Sequence, residues 1–208
     1  MSSHAEGLTL LNEAAERIIV RHLIAHGASR AEVVQRTGGV HGHGVDIVAI
    51  EGRVSSRIKV KADPYFGLDA HKIDNRDLVF YRADAGSFAF EAVANSATRE
   101  LGWCLSSDAE ELYYYYLTLG QTADEVRALL REPDEVFFSE LGVERDELVV
   151  LSMPRVRAWC EEHIQDYAPR PVTLSGVASW YRLIPRSDIE HASVPVRSAG
   201  AIFSALVP

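Results

Sequence analysis

An aspartate on one strand-like run and a lysine on the next are the side chains best placed to do chemistry here. Asp46 is the second residue of the apolar segment VDIVAIEG (45–52), and Lys61 lies in RIKVKAD (57–63), with Lys59 two residues before it. Metal-assisted hydrolysis of a phosphodiester needs carboxylates to hold a divalent ion and a cation or base beside the attacking water. Asp46 and Lys61 supply one of each. Strand alternation puts Ile58, Val60 and Ala62 on one face, so Lys59, Lys61 and Asp63 share the other. A hairpin centred near Arg53 and Val54 would set Asp46 opposite Lys61, and a slip of one residue would part them. Two ammonium groups on alternate residues lie roughly 7 Å apart and repel both each other and a metal ion. The missing carboxylate must therefore come from elsewhere, or the lysine pair binds an anion without metal.

Glu91 is the candidate for that carboxylate. In SFAFEAVA (87–94) the phenylalanines alternate with Ala89, Glu91 and Val93, an unusual setting for an acid. Glu16, flanking the apolar stripe of an N-terminal helix, and Asp63 are further candidate ligands. His41 and His43, within the glycine-rich stretch TGGVHGHG, form a second constellation, either part of a metal site or a solvated loop. Arginines interleaved with aromatics (Tyr113 to Tyr116, Trp159, Trp180, Tyr181, Arg155, Arg157, Arg182, Arg186) would suit a nucleic-acid backbone. Four successive tyrosines on a strand must nonetheless alternate, which makes at least two of them core. Neither cysteine has the histidine and acid of a thiol nucleophile, and no serine sits in a nucleophile-elbow motif.

The elements that must position these groups follow from periodicity. Leu8, Leu11, Ala15, Ile18, His22 and Ala25 recur at helical spacing and predict a helix over 8–26, stopped at Gly27. Strands are predicted at 45–50, 57–62, 87–94, 111–119, 148–152 and 179–185. Thr122 and Glu125 form a capping-box signature for a helix running to about Leu130, and Pro154 opens a helix over 153–164. Strands mixed with helices, without a regular βαβ alternation, predict an α/β (α+β) fold built on a mixed central sheet flanked by helices. One domain over 1–208 is expected, with 192–208 a loosely held tail.

The charge of −9 argues against a non-specific nucleic-acid coat, though a metal site itself gathers carboxylates. Two cysteines without metal or redox spacing point to a reduced, cytoplasmic setting, and no uninterrupted apolar run predicts a membrane span.

The segment DIVAIEGRVSSRIKVKAD, preceded by a helix carrying Glu13 and Glu16, resembles the restriction-endonuclease-like, or PD-(D/E)xK, nuclease superfamily. GWCLSSDAEELYYYYLTL (102–119) and VVLSMPRVRAWCEEH (149–163) extend the resemblance, which then covers most of residues 8–164, to some phage and bacterial nuclease-like proteins. It implies a hydrolase cutting nucleic acid, DNA in the first instance, with Mg²⁺ or Mn²⁺ held by Asp46, Glu91 and Glu16. Asp46, Lys61 and Glu91 would be the catalytic set, while Lys59 and His43 would contact substrate phosphates. A homodimer is the expected assembly. The family places Glu or Asp two residues before the lysine, where this chain has Lys59. That departure implies the alternative: an inactive module of the same fold that binds nucleic acid or a protein partner.

Overall fold

The computed structural model describes residues 4–34, 44–63, 87–174, 176–192 and 194–207. Helix α1 spans His4–Ala25. It is followed by β1 (Arg30–Val33), β2 (Ile47–Glu51) and β3 (Val54–Asp63) in an antiparallel meander. Next come β4 (Ser87–Asn95), β5 (Glu100–Leu101) and the short helix α2 (Trp103–Ser106). Strand β6 (Glu111–Leu119) runs parallel to β3, an arrangement that requires a long crossover, and here β4, β5 and α2 lie within it. Then follow α3 (Ala123–Leu129), α4 (Asp134–Glu140), β7 (Val143–Ser152) and α5 (Met153–His163). The chain continues through β8 (Arg170–Leu174), β9 (Val177–Pro185), α6 (Arg186–His191) and β10 (Val196–Gly200).

Two sheets result. A six-stranded mixed sheet has the order β1-β2-β3-β6-β7-β10, and a four-stranded antiparallel sheet the order β5-β4-β9-β8. The α/β class with a mixed central sheet and flanking helices is as expected. The separate four-stranded sheet is new, since β5 and β8 carry no strong local pattern.

The tyrosine strand organises both faces of the large sheet. Tyr113 and Tyr115 turn toward α1, joining Ile47, Ile58, Val60, Ile18 and Phe137 in one core. Tyr114 and Tyr116 turn the other way, onto Phe88 and Phe90 of β4 and Val156 of α5. All four are at most 5% exposed, so the aromatic run is core throughout. Their hydroxyls reach polar partners: Tyr114 donates to Asp63 Oδ2 at 2.6 Å, Tyr115 to Asp146 Oδ2 at 2.8 Å and Tyr116 to the Ser87 carbonyl at 3.0 Å. A buried phenol needs such a partner, and the bond from Tyr116 to Ser87 of β4 also ties the two sheets together.

The segment from residue 192, expected to be a loose tail, instead adds β10 to β7 and buries Ile202, Phe203 and Leu206 in the α1-side core. Its small residues hide a strand that only its partner reveals. Cys104 and Cys160, far apart in sequence, share the other core, where their thiols hydrogen-bond. That contact and burial push Cys104 well above the usual thiol range.

Thr122 caps α3 as the sequence predicts, its hydroxyl accepting from Glu125 N while the Glu125 side chain accepts from Thr122 N. Thr122→Ala is expected to cost about 1 kcal/mol, read as a shift in the urea midpoint.

Candidate functional site

The β2–β3 turn decides what stands beside Asp46. Glu51 pairs with Val54, leaving a two-residue turn at Gly52 and Arg53, with Gly52 at φ 60°. A positive φ at that place is what a tight hairpin turn demands, and glycine meets it without strain. The hairpin is therefore centred one residue earlier than expected, which moves every cross-strand partner by two and preserves the face. Ile47 pairs with Ile58, and Asp46 N donates to the Ile58 carbonyl at 2.8 Å. Asp46 consequently lies beside Lys59, not opposite Lys61.

Beyond Ile58 the β2 side of β3 pairs with no strand among the described residues, and two side chains take its place. Asp46 Oδ2 accepts from Val60 N at 2.8 Å, and Asn12 Oδ1, from α1, accepts from Ala62 N at 2.8 Å. The same Asp46 oxygen lies 2.9 Å from Lys59 Nζ, in a pair whose side chains are only 7% and 16% exposed. Asp46 thus closes a strand edge and neutralises a largely buried lysine.

Lys61 points to different partners. It is half-buried, with its ammonium 5.6 Å from the centre of the Tyr181 ring on β9. Burial pushes it below the usual lysine value. The carboxylates of Asp63 and Glu91 oppose that shift, and Lys59 adds to it. Asp63 is held by the Tyr114 hydroxyl. Glu91 pairs with Tyr181 across β4 and β9, its Oε1 accepting from the Tyr181 hydroxyl at 3.0 Å and its Oε2 from Trp103 N at 3.4 Å. Gly102 makes the last contact achievable: a Cβ there would sit 2.0 Å from the Glu91 carbonyl oxygen, so only glycine lets the chain pass that close.

The sequence-predicted residues therefore separate. Lys61 and Glu91 come together around Tyr181, with Asp63 beside them, while Asp46 belongs to Lys59. Glu16 is buried on α1, one helical turn beyond Asn12, and lines an open cavity with Val34 and Val48. His41 and His43 lie outside the described residues. Asn12, Trp103 and Tyr181 complete the site. Asn12 could have been found as the residue one turn before Glu16, but nothing local marks Tyr181 as the neighbour of both Lys61 and Glu91.

Among the described residues, no three His, Cys, Asp or Glu side chains come together as a metal site would need. The Asp46 oxygen facing β3 is already engaged by an ammonium and an amide, and both Glu91 oxygens have donors. These groups do not fit a divalent ion at Asp46 as they stand.

The fold and site define a mixed α/β protein with a lysine–aspartate pair at an open strand edge and a second lysine among carboxylates and tyrosines. No family model, curated protein or solved structure matches the chain. No helix among the described residues is long and apolar enough to cross a membrane.

Proposed function

We propose that the chain is a nuclease-like module that engages the phosphate backbone of DNA at Lys61 and needs no metal at Asp46. The observation carrying this reading is the 2.9 Å pair between Lys59 and Asp46, which puts an ammonium where a metal-binding carboxylate would be required. Lys61 keeps its ammonium near the Tyr181 ring, and an aromatic face beside a cation suits a nucleotide. The negative overall charge makes the contact local, not a broad basic coat.

Fluorescence anisotropy with labelled single- and double-stranded DNA tests it. Binding should weaken with salt, because phosphate contacts release counterions, and should be unchanged by a chelator. Lys61→Ala should weaken it by about tenfold, a loss of about 1.4 kcal/mol. Binding that ignores both salt and Lys61→Ala would sink the proposal.

Hydrolysis of the phosphodiester is the second reading, favoured by the desolvated Lys61 lying next to Glu91 and Asp63. DNA cleavage in Mg²⁺ or Mn²⁺ that disappears in Lys61→Ala would establish it in place of the first.

A further inference from the structure

The α1-side face of the large sheet holds a cavity of about 560 Å³ that the Lys61 site does not use. That volume suits a small metabolite. Ala49, Ile58 and Val150 form an apolar floor, and polar groups rise from different elements around it. Glu51 ends β2, Glu111 begins β6 and Arg197 comes from β10. His22 and His26, with ring centres 4.0 Å apart, close the α1 end.

The hydrogen-bonding capacity of this wall is unused in a specific way. His26 Nδ1 lies 2.8 Å from the His22 carbonyl, which only accepts, so the proton is on Nδ1 and Nε2 is an acceptor in the neutral ring. His22 Nδ1 is buried with no hydrogen-bond partner among the described residues. Burial, His26 and Arg197 all hold the His22 ring below the usual histidine value, which keeps it neutral near pH 7. The fixed charges are then two carboxylates and one guanidinium. Arg197 lies 3.9 Å from Glu111, a loose pair in which the arginine side chain is 69% exposed, and both side chains also hydrogen-bond the Tyr113 hydroxyl.

We propose that this cavity binds a diamino acid. The ligand's carboxylate lies on Arg197, its α-ammonium on Glu111, and its distal cation on Glu51 and His26 Nε2. The charges complement one another: two cations and one anion on the ligand meet two anions and one cation on the protein. The spacing agrees as well. Glu51 and Glu111 stand two strands apart and about four residues apart along the sheet, about 16 Å at the backbone. Each glutamate side chain takes up part of that gap, and an extended diamino acid would fill the remainder. Its methylene chain then crosses Ile58 and Ala49.

Isothermal titration of the full chain with L-lysine and L-norleucine decides the matter, because norleucine keeps the chain and lacks the distal ammonium. Saturable binding of L-lysine, at least about tenfold tighter than norleucine, is expected. Glu51→Gln, at an exposed position, should erase that difference, and Arg197→Ala should weaken both ligands alike. No saturable heat with L-lysine up to about 10 mM would overturn the proposal, since weaker binding is not specific recognition. Equal affinity for the two ligands, or unchanged lysine binding in Glu51→Gln, would overturn it too. Both variants should bind DNA as the parent chain does, so this result is independent of the Lys61 reading.

Discussion

Replacing Asp46 with alanine is expected to lower stability by about 3–5 kcal/mol, the range for removing one partner of a buried ion pair. Two losses combine. Lys59, whose side chain is 16% exposed, loses the carboxylate beside it, and Val60 N loses its acceptor. Leaving a buried amide unsatisfied by itself costs about 1–3 kcal/mol. The two share one oxygen, so their costs do not simply add. Asp46→Asn retains an acceptor for Val60 N and removes only the charge, so it should fall between the parent and Asp46→Ala. Combining Asp46→Asn with Lys59→Met removes both charges and should recover most of the loss, because a matched apolar replacement of an ion pair is often neutral. Urea unfolding of the four chains forms the cycle. A value below about 1 kcal/mol for Asp46→Ala would mean that the pair behaves as a surface ion pair. Added Mg²⁺ should leave the thermal midpoint of the parent chain unchanged, since a bound ion would raise it by mass action.

Gly102→Ala should cost about 3 kcal/mol or more, at or above the upper end of the range for forcing extra atoms into a packed core. The residue has an ordinary φ of −71°, so conformational freedom is not the reason. The obstacle is steric. A Cβ would meet the Glu91 carbonyl oxygen at 2.0 Å, its carbon at 2.4 Å and the Ala92 carbonyl carbon at 2.8 Å, all backbone atoms of β4. The 2.9 Å bond from Gly102 N to the Ala92 carbonyl holds the two chains at that distance. Relief therefore requires the backbone to part. Parting it also draws Trp103 away from Phe90, whose ring it meets edge-on at 5.4 Å. The urea midpoint reports the stability, and a changed tryptophan emission reports the displaced Trp103. A loss under about 1 kcal/mol would show that β4 accommodates the methyl group.

The parts of the fold legible in the sequence are those that local periodicity encodes. ELYYYYLTL forms a strand over the predicted bounds because aromatic side chains suit a pleated, buried surface. Thr122 and Glu125 form their capping box because both partners lie within one turn. The split into two sheets is not legible, because β4 and β9 read like any other strands and nothing in either names its neighbour. Strand β10 was hidden for a related reason: VRSAG has little apolar character, and its pairing with β7 supplies the order.

For the site itself, the division is sharp. Alternation along RIKVKAD was enough to place Lys59, Lys61 and Asp63 on one face, because a strand's period of two is a property of the backbone. Which lysine meets Asp46 depended on a two-residue turn at Gly52, and that turn moved the partner from Lys61 to Lys59. Glu91 was marked by its type and its place among small residues. Its position near Lys61 came only from β4 pairing with β9, which brings Tyr181 between them, and from the close passage of Gly102. Residue type and face are local properties written in the chain. Register and sheet pairing are decided by contacts between distant segments, and those contacts give the two lysines different partners.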